Sequence, residues 1–248
     1  MKVIAVIPAR YQSQRLNGKL LKDINGISLL QRVYQQVSKV NAFEEIIVAT
    51  DHEKIFNHCQ DHRMNVVMTA ESHKSGTDRM AEVAQKIEGD VFINIQGDEP
   101  FIEPECIEKL IEIMQHPEVQ IGSLTKKIKT KEDLFDYNTV KVVMNFVNDA
   151  LYFSRSPIPA QRDFGFDKWL DKETYYQHLG LYAFTKETLL KVTKLEMSRL
   201  ESTEKLEQLR WLENGYSIKM GVVESKSFGV DTPADLEKAR NLAILNEQ

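Results

Sequence analysis

The chain has 248 residues, 42% hydrophobic and 28% charged, the make-up of a folded globular protein rather than a disordered one. That length suits one α/β domain or two small ones, and the formal net charge of −5 argues against a general nucleic-acid or membrane-surface binder. Cys59 and Cys106 form no C-x-x-C pair and are expected to be buried free thiols. No apolar run approaches the length of a membrane span. The stretch after Lys2 ends at Pro8 and Arg10, too short for the apolar part of a secretory signal, so a cytoplasmic location is expected.

Residues 3–7, Val-Ile-Ala-Val-Ile, form a short apolar run of the kind found in strands buried on both faces of a parallel sheet. The loop after it, 8–19, sets Arg10, Arg15 and Lys19 among small and polar residues at the strand's carboxyl end, where open α/β folds bind ligands. Gly18 permits close backbone approach, and the cations supply the charge a triphosphate needs. In an acidic chain such a local basic loop points to a small anionic ligand. The loop is neither a Walker A sequence nor G-x-G-x-x-G, which argues against the ordinary ATPase and dinucleotide readings, while a merely solvated basic loop stays open.

Leu29, Leu30, Val33 and Val37 then keep helical spacing, and 45–50 reads as a second strand. A helix over 53–62, a strand over 66–69, a helix over 79–87 and a strand over 91–95 follow. Pro104 opens a helix that buries Ile107, Leu110, Ile111 and Met114. This alternation predicts an α/β fold with a mostly parallel, Rossmann-like sheet flanked by helices. The middle third changes character, with strands over 140–146, 150–154 and 179–184 around an irregular segment, 156–172, that carries Phe164, Phe166 and Trp169. A loop of that length is usually functional or an interface. One domain over 1–248, with a smaller mixed lobe inserted at about 137–185, is expected. A helix over 203–214 ends at Gly215, and Thr232-Pro233-Ala234-Asp235 opens a last helix packed through Leu236, Ala239 and Leu242.

Gln96-Gly97-Asp98-Glu99-Pro100 ends the fourth strand, so Asp98 reaches the carboxyl edge of the sheet, well placed to ligate Mg²⁺; an acidic turn before a helix is the plainer alternative. Glu99 either joins Asp98 or holds the turn. Asp231 precedes a helix N-terminus, which stabilises a carboxylate by itself, yet with Asp98 it makes a two-carboxylate metal site. In His73-Lys74-Ser75-Gly76-Thr77-Asp78-Arg79 the hydroxyls and the Arg79 fork suit a base or phosphate, and an N-cap at Ser75 or Thr77 explains much of the same pattern.

Taken together, 8–19, Ser75-Gly76-Thr77-Asp78-Arg79, 96–100, Tyr152-Phe153-Ser154-Arg155, His178-Leu179-Gly180-Leu181-Tyr182, Leu206-Glu207-Gln208-Leu209-Arg210 and Gly229-Val230-Asp231-Thr232-Pro233 closely resemble the 3-deoxy-manno-octulosonate (Kdo) cytidylyltransferases, the CMP-Kdo synthetases, over nearly the whole chain. The resemblance implies a nucleotidyltransferase fold, CTP and Kdo as substrates, Mg²⁺ as cofactor, a homodimer, and a role in lipopolysaccharide biosynthesis. It assigns Arg10, Arg15, Lys19 and Asp98 to catalysis, the three cations among them holding the triphosphate. Ala9, Arg10, Ser75, Thr77, Arg79 and Gln96 fall to the nucleotide, and Asp98 and Asp231 to the metal. Arg155, Arg162, His178, Tyr182, Glu207 and Gln208 match the sugar-acid positions. Physically, a guanidinium suits the Kdo carboxylate, and Glu207, Gln208 and His178 suit its hydroxyls. Singly, the two arginines also read as surface ion-pair partners, His178 as a hydrogen-bonded strand residue, and Glu207 and Gln208 as solvent-facing. Asn17 and Leu20 stand where the family commonly has prolines. Three alternatives accompany this reading: a related acceptor such as 8-amino-Kdo or a sialic acid, a nucleotide-sugar-dependent glycosyltransferase, and a non-catalytic nucleotide-binding protein.

Overall fold

The computed structural model describes residues 1–12 and 16–246. The chain forms two compact units, Met1–Glu108 with Ser225–Gln248, and Lys109–Glu224, a span that contains the expected 137–185 segment.

In the first unit β1 (Val3–Ala9) is followed by a one-turn 3-10 helix (Lys19–Leu21) and a small hairpin of β2 (Asp23–Ile24) and β3 (Ile27–Ser28). Then come α1 (Leu29–Val37), β4 (Phe43–Thr50), α2 (Glu53–Asp61), β5 (Val66–Met68), α3 (Gly76–Lys86), β6 (Val91–Asn94) and α4 (Pro104–Ile113), within which the unit boundary falls, between Glu108 and Lys109. The strands pair in parallel in the order β6-β1-β4-β5, with Ala5 opposite Ile46 and Ile93. Paired on both sides, β1 needs apolar side chains on both faces, and Val3 to Ile7 are all buried. The parallel order sends the carboxyl ends of β1, β4, β5 and β6 to one edge. There the chain presents Arg10, Asp51, Thr69 and Gln96-Gly97-Asp98.

The second unit holds β7 (Ile121–Lys127), α5 (Lys131–Phe135), β8 (Lys141–Met144), β9 (Ala150–Ser154), a 3-10 turn (Phe166–Lys168), α6 (Trp169–Lys172), β10 (Tyr176–Thr185), α7 (Lys186–Val192), α8 (Arg199–Glu204), α9 (Gln208–Glu213) and β11 (Lys219–Val222). Here β10 pairs antiparallel with β7 and β8, β8 with β9, and β11 lies parallel to β7. Within 156–172 the aromatic side chains build a small core. Trp169 stacks on Tyr175 at 6.0 Å and meets Phe135 and Phe166, while Ile128 and Leu134 complete the cluster.

The helix expected over 203–214 is two helices, broken at Lys205, which takes a left-handed φ of 55°. Strands β7 and β11 and helices α5 and α7 were not expected. The last helix, α10 (Pro233–Asn246), belongs to the first unit and opens as the sequence predicts: the Asp235 carboxylate accepts from the Thr232 N–H at 2.9 Å, and the Thr232 hydroxyl accepts from the Asp235 N–H at 3.2 Å. Leu236 and Ala239 are buried there, and Leu242 half-buried. Both cysteines are buried free thiols, and burial pushes Cys59 up to about 12 and Cys106 up to about 11. Among the described residues no helix is long and apolar enough to cross a membrane.

Candidate active site

At the carboxyl edge of the first unit Lys19 stands between two carboxylates, its Nζ donating to Asp98 Oδ2 at 2.6 Å and to Asp231 Oδ1 at 2.9 Å. Burial acts against the ammonium, but the Asp98 charge and the hydrogen bonds Lys19 donates to both acids outweigh it and hold Lys19 above the usual lysine value. Three separate stretches of chain make this meeting. Asp98 comes off the turn after β6. Lys19 is presented by Gly18, whose left-handed φ of 62° opens the 3-10 turn. Asp231 arrives on the returning segment, which is tied down residue by residue. Ser225 Oγ and the Lys226 N–H donate to Glu103 at 2.7 Å each, Ser227 Oγ donates to Glu99 at 3.0 Å, and the Val230 N–H donates to Asp98 O at 2.9 Å. Glu99 therefore anchors the segment that delivers Asp231.

Glycine at 97 suits this close approach, since a Cβ there would lie 3.0 Å from the Pro8 carbonyl oxygen, a tight contact with backbone. Leu20, in a position where proline was expected, is buried beneath Gly97. A cavity of about 270 Å³ opens here, lined by Arg10, Lys19, Lys74, Ser75, Gln96 and Asp98 among others. Lys74 was missed by sequence reasoning. Its signal was its place beside Ser75-Gly76, at the N-terminus of α3, where backbone N–H groups and a cation together suit an anion. Ser75 caps α3 reciprocally with Asp78, its Oγ accepting from the Asp78 N–H at 3.1 Å. Ala9 is buried at the end of β1, Thr77 is buried in the first turn of α3, and Arg10 is exposed.

Arg79 is fully buried. It donates to Asp51 at 2.5 Å and to the Thr69 hydroxyl, so it ties α3 to the ends of β4 and β5. Its Nε has no hydrogen-bond partner among the described residues. Arg15 lies outside the described residues.

The expected sugar-acid residues belong to the second unit. His178 is buried between Phe153 and Tyr182, at 5.0 and 5.2 Å between ring centroids. Its Nε2 lies 2.9 Å from Ser123 Oγ, which itself donates to Leu181 O at 2.8 Å. The network therefore assigns the ring proton to Nε2. Burial drives the imidazole down to about 3, so it is neutral. Ser123 fills an irregularity in β10, where the register against β7 shifts between Leu179 and Tyr182. The Tyr182 hydroxyl is buried with no hydrogen-bond partner among the described residues. Burial, and then the charge of Glu207, push it well above the ordinary tyrosine value. Gln208 is buried and Glu207 half-buried at the start of α9.

Arg155 is already engaged, its guanidinium donating to the carbonyls of Glu204 at 2.7 Å, Tyr137 at 2.9 Å and Lys205 at 3.4 Å. Arg162 is exposed.

The chain matches the cytidylyltransferase family over residues 4–220. It is 49% identical to the 3-deoxy-manno-octulosonate cytidylyltransferase of Parabacteroides distasonis, with 96% of this chain and 97% of that protein covered. It is 45% identical to the enzyme of the same name from Geotalea uraniireducens, over 96% and 97%. Among solved structures it superposes on a CMP:2-keto-3-deoxy-manno-octonic acid synthetase complexed with CTP at a TM-score of 0.93 and 41% identity, covering 99% of this chain and 100% of that one. A glucose-1-phosphate thymidylyltransferase from Bacillus anthracis, described as putative, shares the fold at a TM-score of 0.67 and 13% identity, over 97% and 95% of the two chains.

Proposed function

Since the chain belongs to the cytidylyltransferase family, we propose that it transfers the cytidylyl group of CTP to Kdo, giving CMP-Kdo and pyrophosphate. The anomeric oxygen of Kdo attacks the α-phosphorus in line. The bond from that phosphorus to the α,β-bridging oxygen breaks, pyrophosphate leaves with the bridging oxygen, and the hydroxyl proton passes to solvent. No covalent enzyme intermediate forms, so the protein's contribution is positioning and charge neutralisation.

The observation that carries this reading is the convergence of Lys19, Asp98 and Asp231 at the carboxyl edge of the parallel sheet. Arg10, Arg15 and Lys19 take the triphosphate, with Lys74 beside them. Ala9, Ser75, Thr77 and Gln96 line the nucleoside side, and Arg79 shapes it by holding Asp51 and Thr69. Asp98 and Asp231 suit a Mg²⁺: both reach one ammonium, so both can reach one cation. Among the described residues no cluster of three or more His, Cys, Asp or Glu offers an all-protein cage. Two carboxylates completed by water and phosphate oxygens match the ordinary Mg²⁺ donor set, and the bound ion supplies charge neutralisation at the phosphates.

For the acceptor, the unpartnered Tyr182 hydroxyl, neutral His178, Glu207 and Gln208 suit a polyhydroxylated ligand, and the exposed Arg162 suits its carboxylate. Arg155 contributes by holding backbone. The 137–185 segment is read as the core of a sugar-binding and dimer-forming lobe. The exposed Phe146, Val147 and Leu151 support a homodimer.

Asp98→Asn tests the site. The expected result is loss of turnover with an unchanged circular dichroism spectrum, and a folded, fully active variant would overturn the metal assignment.

A further inference from the structure

The two ends of the cation-bearing loop meet at one aromatic ring. The Gly18 N–H donates to Tyr11 O at 3.2 Å, closing the neck of the 11–18 segment. Gly18 lies against the Tyr11 ring, where a Cβ would sit 3.4 Å from Cε2, Cζ and the hydroxyl oxygen. His52 stacks on the same ring, with centroids 4.1 Å apart and planes 17° from parallel. The Lys54 ammonium stands 5.1 Å from the ring centroid and donates to the Tyr11 hydroxyl at 3.4 Å. His52 is itself held, because it caps α2 and its Nδ1 accepts from the Lys54 N–H at 3.2 Å. The body of the first unit thus grips the loop at Tyr11, immediately after Arg10 and across the neck from Lys19. Neither Asn17 nor Leu20 restricts the backbone as a proline would. The ring contacts supply the restraint.

We propose that Tyr11, stacked on His52, is a positioning residue for the triphosphate. It touches no reacting atom. It holds the two ends of the loop together, so that Arg10 and Lys19 meet the phosphates already placed and CTP binding does not have to order them. This inference rests on the CTP reading above.

The test compares Tyr11→Phe, Tyr11→Ala and His52→Ala with the parent chain. The readouts are KM for CTP, KM for Kdo, thermal midpoint, and the rate of trypsin cleavage after Arg10 and Lys19. Losing the stack and the cation contact is expected to raise KM for CTP by about tenfold in Tyr11→Ala. KM for Kdo and the thermal midpoint should hold, and cleavage should accelerate. His52→Ala should move in the same direction, and Tyr11→Phe, which keeps the ring, should stay near the parent. A Tyr11→Ala protein with parental KM for CTP and parental cleavage overturns the proposal. So does a Tyr11→Phe protein as impaired as the alanine variant, since the role would then belong to the hydroxyl. Absence of any turnover by the parent chain would count against the function reading, while the cleavage rates would still decide whether Tyr11 clamps the loop.

Discussion

At Lys19 a part-buried ammonium is kept charged because Asp98 and Asp231 offset its desolvation, and the same two carboxylates are the proposed metal ligands. His178 is the opposite case, a buried imidazole kept neutral. Its native value is about 3 against an ordinary 6.5, so below 6.5 the unfolded chain binds a proton that the native chain refuses. The stability from neutral His178 is therefore complete above about pH 6.5 and is lost as pH falls towards 3, by up to ~1.4 kcal/mol per pH unit. In His178→Gln that acid sensitivity should be visibly smaller in urea midpoints taken across this window; identical slopes for variant and parent would contradict it. Lys19, Asp98 and Asp231 were legible in the sequence because the first two follow strands whose ends are predictable and the third precedes a helix whose start is. The partners of Arg79 and Arg155 were not. A guanidinium that suits a ligand suits a buried carboxylate or backbone carbonyls equally well, and only the fold decides which it meets.

Between α8 and α9 the chain breaks where sequence periodicity predicts continuity. Nothing at Lys205 signals the break; there is no glycine or proline. The break is held from elsewhere, by Arg155 on the carbonyls of Glu204 and Lys205, and by Arg210 bridging to Glu201 at 2.7 and 2.8 Å. Arg155→Ala leaves these carbonyls without their charged donor and should destabilise the protein by ~1–3 kcal/mol in denaturant unfolding. Unchanged stability would show that the brace is dispensable. Strand β7 was invisible for a related reason. It buries Ser123 and Thr125, whose hydroxyls find their partners on β10, Ser123 Oγ at Leu181 O and His178 Nε2, and Thr125 Oγ1 donating to Gln177 O at 2.7 Å. Polar residues hidden by tertiary hydrogen bonds carry no apolar pattern to read. The expected strand over 140–146 stops at Met144 because Asn145 Oδ1 accepts from the N–H groups of Val147 at 3.0 Å and Asp149 at 2.8 Å and turns the chain.

For the whole molecule, the strand–helix alternation of the first hundred residues was enough to predict the parallel sheet of the first unit. The central strands β1 and β6 are short, mainly apolar runs that their neighbours bury, and β4 is buried over 47–50. The extent of the second unit was harder to read, since β7 and β11 that widen it are short, polar or glycine-containing. Three of its exposed apolar side chains, Phe146, Val147 and Leu151, lie around the β8–β9 turn, and in the proposed homodimer they would meet a second copy of the chain. Light scattering should give a dimer mass for the parent and a shift towards monomer for Phe146→Glu. A monomeric parent would contradict that assembly. The central claim, that the Lys19-Asp98-Asp231 edge serves cytidylyl transfer to Kdo, is tested most directly by pyrophosphate release. Purified protein would be given CTP with Kdo, 8-amino-Kdo or N-acetylneuraminate, with and without Mg²⁺. The account predicts Mg²⁺-dependent release with Kdo. Release only with another sugar acid would contradict the acceptor, and CTP binding with no release from any of them would contradict the reaction.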